Sequence, residues 1–529
     1  MAHRVLVSDK LAPEGLAILR AASDLEVDDR PGLAPAELLA VIADYDALVI
    51  RSGTRVTAEV IAAATRLRVI GRAGIGVDNV DVPAATRRGI VVMNTPGGNN
   101  VTTAEHALSL MLSLARFVPQ ADASLRSGQW ERNKFTGTEI TGKVLGVVGL
   151  GNIGRIVADR GAGLAMKVLA YDPFLTPGNA PPAVEIVSLD DLFARSDFVT
   201  VHVPLTAETR NLIDAAAMAR MKKGVRIINC ARGGIVDEQA LAAALASGKV
   251  AGAAFDVFVE EPPPRDHPLL ALPNVVVTPH LGASTGEAQT NVAVAIADQV
   301  AAFLSRGAVA AAVNMPPVTP EDREFLAPWL LLGEKLGSLM GQLGGGAPKS
   351  VEISYEGQVA ERGMRTVTAA VLRGVLVPIL GDEVNWVSAP VVARERGIEV
   401  RETTLGRPSG FRDSVMVHVG FADGSHRLAA GAVFGNGIAR LVRLDGFHLE
   451  AAPEGYILLL ENRDVPGVVG RVGTLLGKGQ VNIAGLQLGR EKVGGRALSL
   501  FQIDEPVPEA VLVELRQAPE ILSARLLHL

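Results

Sequence analysis

The chain has 529 residues, of which 48% are hydrophobic and 20% charged, so several compact domains are expected and long disordered regions are not. A net charge of −6 disfavours nucleic-acid and anionic-membrane partners. The sequence also lacks a run of about 18 apolar residues and the apolar core of a signal peptide, and its single cysteine, Cys230, excludes an intrachain disulfide. We therefore expect a cytoplasmic protein.

The first part of the chain, residues 1–97, alternates short apolar runs with amphipathic segments. Strands are predicted at 4–7, 47–50 and 68–70, and helices at 14–21, 35–43 and 58–64. This alternation is typical of a parallel sheet covered by helices. We expect a doubly wound, Rossmann-like or flavodoxin-like α/β domain.

A second α/β domain of the same class is predicted over residues 98–285. The capping-box pattern Thr102-Thr-Ala-Glu105 predicts the start of a long helix. Further strands are predicted at 168–171, 198–201, 225–229 and 275–278. A helical run over 286–304 leads back to the first domain, to which we assign residues 286–316.

The remaining chain predicts two further domains. Residues 317–452 contain helical runs at 326–343 and 365–379, followed by hairpin-like strands around Ala422-Asp-Gly-Ser and Phe434-Gly-Asn-Gly, which indicates an α+β domain. Residues 453–529 follow the order strand, helix, two strands, helix, strand. That order predicts a ferredoxin-like βαββαβ module.

The segment Val147-Val-Gly149-Leu-Gly151-Asn-Ile-Gly154 places three glycines between an apolar strand and a predicted helix. In this context Gly149 allows a tight turn, Gly151 lets the backbone approach a pyrophosphate, and Gly154 allows close packing of helix on strand. Asp172 ends the next apolar run, where a carboxylate accepts ribose hydroxyls and repels a 2′-phosphate. Together these features predict a dinucleotide site that prefers NAD to NADP.

Three side chains that could oxidise a 2-hydroxy acid follow apolar strands of the second domain. Arg232 could hold a carboxylate and polarise the keto oxygen, and His280 could act as the general base. Glu261 could fix the imidazole tautomer. Taken singly, each residue could be structural, but ligands of open α/β sheets collect at the carboxyl ends of the strands. Their shared placement therefore favours a catalytic role.

The motifs GLGNIG, NCARGG, FDVFVEEPP and TPHLGAST resemble the D-2-hydroxyacid dehydrogenase family, and in particular its long members that act on 3-phosphoglycerate. The resemblance covers essentially the whole chain. It implies that Arg232, Glu261 and His280 are catalytic, that Cys230 lines the cofactor site without acting as a nucleophile, and that no metal is needed. The implied NAD contacts are Gly149, Gly151, Asn152, Ile153, Gly154, Asp172, Val203, Cys230, Ala231, Arg232, Asp256, His280, Gly282 and Ala283.

The resemblance also gives the domains their expected tasks. Residues 1–97 with 286–316 would bind substrate, and 98–285 would bind the dinucleotide. Residues 317–452 resemble an intervening domain that is linked to tetramer assembly and to an anionic allosteric site. Residues 453–529 resemble an ACT domain, a regulatory module that commonly pairs between subunits.

A phosphorylated substrate is indicated by Arg51 and Arg72, each directly after an apolar strand, because arginine pairs suit the oxygens of a phosphate. Interdomain salt bridges are the alternative role for these arginines. The resemblance adds Asn99 as a substrate contact and Arg132 as a residue that reaches in from a partner subunit. It also shows a departure: Ile75 stands where some relatives have a threonine that contacts the cofactor, so only its backbone could serve there.

In the ACT-like module, the resemblance points to Asn462, Asp464 and Asn482 as contacts for a serine effector. A purely structural, dimer-forming module is the alternative. The expected activity is NAD-dependent oxidation of 3-phosphoglycerate to 3-phosphooxypyruvate, the first step of the phosphorylated route to serine, in a homodimer or homotetramer. Two other functions stay open: a glyoxylate or hydroxypyruvate reductase, and a nucleotide-sensing, corepressor-like protein.

Overall fold

The computed structural model describes residues 2–175, 181–316, 320–381, 384–405 and 410–529. The chain divides into two compact units. The first unit comprises Met1–Leu11, Leu16–Asn94 and Ile296–Leu529, and the second comprises Ala12–Gly15 and Thr95–Ala295. Within the described ranges, every helix is too short or too polar to cross a membrane.

The N-terminal part forms a five-stranded parallel sheet in the order β2-β1-β3-β4-β5. Its strands are β1 (His3–Val7), β2 (Leu25–Asp29), β3 (Ala47–Ile50), β4 (Val69–Arg72) and β5 (Val91–Met93). Its helices are α1 (Pro13–Ala21), α2 (Pro35–Val41), α3 (Ala58–Ala63) and α4 (Val82–Arg87). The central strand β3 is buried along its whole length, as expected of a continuous apolar run in a parallel sheet. The predicted doubly wound class is confirmed.

The second unit contains a seven-stranded parallel sheet in the order β12-β11-β10-β9-β6-β7-β8. Its strands are β6 (Val144–Val148), β7 (Lys167–Tyr171), β8 (Val184–Ile186), β9 (Phe198–Val201), β10 (Val225–Asn229), β11 (Val250–Phe255) and β12 (Val275–Val277). The helices are α5 (Asn100–Arg116), α6 (Val118–Arg126), α7 (Asn152–Gly163), α8 (Leu189–Arg195), α9 (Ala215–Arg220) and α10 (Glu238–Ala246). The long helix α11 (Gly286–Arg306) follows β12.

The predicted start of α5 is wrong. The helix begins at Asn100 with Asn99 as its N-cap, so Thr102 lies inside the first turn. The Thr102 hydroxyl is 3.2 Å from that of Thr285, and Glu105 pairs with Arg160. The sequence has the capping-box pattern, but the Thr102 and Glu105 side chains bond to other segments of the same unit instead of capping the helix.

The segment predicted as an intervening domain forms a six-stranded mixed sheet in the order β14-β13-β15-β16-β17-β18. Its helices are α12 (Pro320–Leu343), α13 (Gln358–Arg362), α14 (Met364–Leu380) and α15 (Ala389–Glu395). Its strands are β13 (Pro348–Glu356), β14 (Glu399–Thr404), β15 (Ser414–Phe421), β16 (His426–Phe434), β17 (Ile438–Leu444) and β18 (Phe447–Ala451). The expected hairpins join β15 to β16 and β16 to β17.

The C-terminal module has the predicted βαββαβ order. It consists of β19 (Tyr456–Arg463), α16 (Val468–Lys478), β20 (Ile483–Arg490), β21 (Arg496–Ile503), α17 (Glu509–Gln517) and β22 (Ile521–His528). Alternate residues of β19 face opposite sides: Leu458 packs in a core with α16 and α17, whereas Ile457 and Leu459 belong to the core of the preceding domain. The period-two pattern thus buries both faces of this antiparallel sheet.

Candidate active site

One edge of the seven-stranded sheet carries the motifs singled out in the sequence. The parallel register aligns the last residue of six strands in a single row, namely Tyr171, Val148, Val201, Asn229, Phe255 and Val277. The residues that follow the row are Asp172, Gly149, His202, Cys230, Asp256 and Thr278. Because parallel strands end at the same edge, segments more than a hundred residues apart in the chain meet here.

The glycine-rich turn has the shape that a dinucleotide site requires. A Cβ on Gly149, which has a φ of +91°, would come within 2.7 Å of the His202 carbonyl oxygen, and one on Gly154 would come within 1.9 Å of the Gly149 carbonyl oxygen. Among the described residues other than its chain neighbours, none has an atom within 4 Å of a Cβ built on Gly151. Gly149 and Gly154 are therefore required by packing, whereas Gly151 leaves open space at the start of α7, where free N–H groups favour phosphate.

Asp172 is held in place by the same turn. Its Oδ2 accepts a hydrogen bond of 2.9 Å from the backbone N–H of Leu150, and its Oδ1 accepts one of 2.9 Å from the N–H of Phe174. A carboxylate fixed at the end of β7 fits the ribose-binding role predicted for it. The glycines and this acid together fit a bound NAD.

The Cys230 side chain is 5% exposed at the end of β10. Burial, and secondarily the charge of Asp256, raises the pKa of the Cys230 thiol well above its ordinary value. A neutral, buried thiol is a poor nucleophile, which supports the prediction that Cys230 only lines the site.

The loop that carries Arg232 is fixed by Asn229 and by a close backbone contact. Asn229 accepts a hydrogen bond from the N–H of Ala231 (3.1 Å) and donates one to the carbonyl of Arg232 (2.9 Å). A Cβ on Gly233 would lie 2.0 Å from the Phe258 carbonyl oxygen, so this glycine allows the loop to pack directly on the segment that leads to Glu261. The structure therefore brings the Arg232 and Glu261 loops together.

His280 and Glu261 form a direct side-chain contact in the site. The imidazole Nδ1 lies 2.7 Å from Glu261 Oε2, and the N–H of Phe258 donates to Glu261 Oε1 at 3.1 Å. Burial opposes ionisation of Glu261, but the hydrogen bonds from His280 and Phe258 outweigh it and hold the pKa of Glu261 below its usual range. An ionised carboxylate can only accept, so Nδ1 carries a proton, and Nε2 is the nitrogen that bears the lone pair when the imidazole is neutral.

Several side-chain contacts of this site gave no signal in the sequence, although Asp256 itself was predicted as an NAD contact. Asp256 is 1% exposed, and its carboxylate contacts His106 and Thr278. Glu238 accepts a hydrogen bond from the N–H of Val259 at 2.9 Å and lies 2.9 Å from Nε2 of His267, which steadies the loop before Glu261. Sequence periodicity could not identify these pairs, because their members are between 21 and 150 positions apart.

The first unit holds the two arginines predicted to bind phosphate. Ile50 pairs with Arg72 across β3 and β4, so Arg51 directly follows the strand position beside Arg72. Asp9 accepts a hydrogen bond of 2.6 Å from the N–H of Arg51, and Asn79 donates to the Arg51 carbonyl at 2.7 Å. The sequence pattern did not indicate that Asp9 and Asn79 support the backbone of Arg51.

Arg72 lies against a glycine. A Cβ on Gly74, which has a φ of +148°, would come within 1.8 Å of Arg72 Nη1. The Ile75 carbonyl accepts a hydrogen bond of 2.6 Å from Asn94, so the backbone of Ile75 already has a structural task. The positive φ favours glycine at position 74, whereas the close approach to Arg72 involves the flexible end of that side chain.

The other predicted substrate contacts, Asn99 and Arg132, belong to the second unit. Asn99 is the N-cap of α5, and its buried Oδ1 accepts no hydrogen bond from the described residues. Arg132 lies exposed in a 3₁₀ turn, Arg132–Phe135. Their contact with substrate stays a prediction.

The ACT-like module does not bring its three predicted effector residues together. Asn462 is 4% exposed and bonds to Ser499 and to the Arg463 carbonyl, while Asp464 pairs with Arg490 at 3.2 Å. Asn482 bonds to Asp504 at 2.7 Å.

The strand register explains this separation. Asn462 pairs with Ala497 at one end of β21, whereas Ile483, which follows Asn482, pairs with Ile503 at the other end. Six positions of an extended strand span about 20 Å. One small effector therefore cannot touch all three residues within a single chain.

Comparison with known proteins gives the family. A model of the D-isomer specific 2-hydroxyacid dehydrogenase NAD-binding domain matches residues 108–282. A D-3-phosphoglycerate dehydrogenase intervening domain matches 325–445, and an ACT domain matches 456–520. The D-3-phosphoglycerate dehydrogenase of Archaeoglobus fulgidus is 45% identical over 99% of this chain and 100% of its own length. The chain belongs to the D-3-phosphoglycerate dehydrogenase family.

Further relatives agree with this family. The enzyme of the same name from Synechocystis sp. is 44% identical over 98% of this chain and 94% of its own length. Among solved structures, the TT0316 protein of Thermus thermophilus has a TM-score of 0.55 and 38% identity, covering 59% of this chain and 99% of its own. A glyoxylate reductase from Paecilomyes thermophila has a TM-score of 0.54 and 31% identity, covering 59% and 98%. The chain is thus an NAD-dependent oxidoreductase with an ACT domain.

Proposed function

We propose that this chain oxidises 3-phosphoglycerate to 3-phosphooxypyruvate with NAD, the first step of the phosphorylated route to serine. The observation that carries the proposal is the His280–Glu261 pair at the carboxyl edge of the dinucleotide-binding sheet, beside the Arg232 loop. The family membership supports the substrate, since relatives aligned over nearly the whole chain bear the name D-3-phosphoglycerate dehydrogenase.

The residues of the chain divide the chemical work. Nε2 of His280 takes the proton of the substrate hydroxyl, and ionised Glu261 stabilises the imidazolium through Nδ1. Arg232 holds the substrate carboxylate and polarises the forming keto oxygen. Bound NAD supplies the acceptor for the hydride that leaves C2. The reaction converts 3-phosphoglycerate and NAD⁺ into 3-phosphooxypyruvate, NADH and one proton.

Arg51 and Arg72 are the proposed phosphate contacts. Arg51 directly follows β3 and Arg72 is the last residue of β4. The two strands are adjacent and parallel, so both arginines stand at the same edge of the sheet. Arginine forks suit phosphate oxygens, and each charge-assisted hydrogen bond contributes about 1.5–3 kcal/mol. The phosphate is therefore expected to raise kcat/KM by at least about 100-fold over that for glycerate.

The test is a substrate panel with wild type and matched variants. NADH formation is measured with 3-phosphoglycerate, glycerate and D-lactate for wild type, Arg51→Gln and Arg72→Gln, with the exposed Arg55→Gln as control. We expect the two variants to lose most of the preference for 3-phosphoglycerate while their activity on glycerate changes little. Equal wild-type rates on 3-phosphoglycerate and glycerate would refute the phosphate assignment.

A glyoxylate or hydroxypyruvate reductase is the second candidate, because a glyoxylate reductase shares the fold of the catalytic part. Glyoxylate and hydroxypyruvate with NADH complete the panel and distinguish it. Any measured hydride transfer excludes a corepressor-like protein that uses the nucleotide only as a ligand.

The regulatory part of the proposal is that serine binds the ACT domain and lowers activity. The support is the ACT match together with the carboxylate of Asp464 and the amide of Asn482, which suit the charged ends of an amino acid. A homodimer or homotetramer, with Arg132 supplied by a partner, and a cytoplasmic location belong to the same proposal. Assays with and without serine test the regulation directly.

A further inference from the structure

A buried carboxylate lies behind the loop that carries His280. Asp256 directly follows β11 and is 1% exposed. Its Oδ1 accepts hydrogen bonds from Thr278 Oγ1 (2.6 Å) and from the N–H of Leu281 (2.7 Å), and its Oδ2 accepts one from the N–H of Gly282 (2.8 Å). The loop after β12 is therefore wrapped around this single side chain.

His106 is the fourth group on this carboxylate. Its Nε2 lies 3.1 Å from Asp256 Oδ1 and 3.1 Å from Thr278 Oγ1. Burial opposes ionisation of Asp256, yet the hydrogen bonds from His106, Thr278 and Leu281 keep the pKa of Asp256 below its ordinary value. Because an ionised carboxylate only accepts, Nε2 of His106 must carry a proton and donate it.

The same contacts fix the backbone of His280. This residue has a φ of +54°, a conformation that costs energy for a side chain other than glycine, and its N–H donates to the Asp256 carbonyl at 2.9 Å. Helix α5 holds the loop at two points one turn apart, since Thr103 donates to the Gly282 carbonyl at 3.0 Å and His106 donates to Asp256. The strained residue thus lies between groups held by side chains of α5.

We propose that His106 is a positioning residue for the dehydrogenase reaction: through Asp256 and Thr278 it fixes the left-handed loop that presents His280 to Glu261. The inference rests on the proposed function, and it adds a residue that does not itself touch the reacting atoms. A misplacement of about 1 Å in a catalytic group can cost on the order of 100-fold in rate. Loss of the His106 hydrogen bond is therefore expected to lower kcat by a larger factor than it raises the Kd for NADH.

Two variants at each of two positions test the proposal in the full-length protein. His106→Leu and Thr278→Val remove the hydrogen-bond donor to Asp256, whereas His106→Gln and Thr278→Ser keep a donor at a similar reach. Ser109→Ala on the same helix is the control, because among the described residues the Ser109 hydroxyl bonds within α5, to the Glu105 carbonyl. We expect kcat to fall about 10- to 100-fold in His106→Leu and Thr278→Val and to recover partly in His106→Gln and Thr278→Ser, with a smaller change in the Kd for NADH.

A second readout does not depend on the substrate. Hydrogen exchange at the Leu281 and Gly282 amides should become faster in His106→Leu than in His106→Gln or Ser109→Ala, because their acceptor is no longer held in place. A lower melting temperature with unchanged kcat and unchanged exchange in this loop would show a merely structural His106 and overturn the proposal. If wild type does not turn over 3-phosphoglycerate, the proposed function fails, while the exchange experiment still decides whether His106 holds the loop.

Discussion

The sheet of the dinucleotide-binding part and the sheet of the ACT domain place their loop residues in opposite ways. In the parallel sheet, the residues after β6, β7, β9, β10, β11 and β12 all lie at one edge. In the ACT sheet, β19 and β20 both pair antiparallel with β21 and so run in the same direction, but Asn462 lies at the end of β19 whereas Asn482 precedes β20. The end of the strand at which a residue lies thus decides whether residues distant in sequence can share a site within one chain.

Loop residues can be grouped into one site when they lie at the same edge of a sheet. Residues that follow parallel strands can be grouped into one site from the sequence alone, because the sheet brings the strand ends together. A residue that ends one strand and a residue that precedes another cannot be grouped in this way, since they lie at opposite edges when the two strands run in the same direction. An ACT effector site that uses Asp464 and Asn482 together needs two chains.

The largest effect, on kcat, is expected when His280 at the shared edge of the parallel sheet is replaced. His280→Asn removes the base but keeps a polar side chain, so kcat should fall at least about 1,000-fold while NADH still binds. Steady-state kinetics and NADH fluorescence titration measure the two quantities. His426→Asn, on β16 of the other unit, is the matched control. Turnover retained in His280→Asn would mean that the base is another group and that the edge does not assemble the site.

A smaller effect, on cofactor preference, is expected from Asp172, which lies at the same edge of the sheet but on a strand far from the one that precedes His280. Asp172→Asn keeps an oxygen to accept from Leu150 but loses the charge that repels a 2′-phosphate, so the ratio of kcat/KM for NAD to that for NADP should fall about 10- to 100-fold. Kinetics with both cofactors give the ratio. Asp159→Asn, exposed on α7, should leave the ratio at the wild-type value. An unchanged ratio in Asp172→Asn would place the ribose elsewhere.

The smallest effect is expected in the ACT domain. Asp464→Ala and Asn482→Ala should each reduce inhibition by serine, with catalysis unaffected. When the two variants are mixed and allowed to exchange subunits, half of the paired sites in a mixed dimer carry both native residues, so inhibition should partly return. The readout is the activity at saturating serine before and after mixing. No recovery on mixing would show that the two residues do not serve one shared site.

Much of the catalytic site followed from local sequence. The glycine-rich turn, Asp172 and the strand ends before Arg232, Glu261 and His280 are all encoded within short segments, and the parallel sheet aligns them without further information. The βαββαβ order of the ACT domain followed from apolar periodicity in the same way. Local pattern is sufficient where the period of a strand or helix fixes which residues face the core.

Only the tertiary structure decided the rest. The letters Thr102-Thr-Ala-Glu105 spell a capping box, but packing against Thr285 and Arg160 takes both side chains, and the helix begins at Asn100. His106 and Asp256 are 150 positions apart and meet because α5 packs on the sheet end. The sequence determined which chemical groups are available and which strands end beside them. Their partners across the fold, and the opposite edges of Asn462 and Asn482, depend on contacts between distant segments, which no local periodicity encodes.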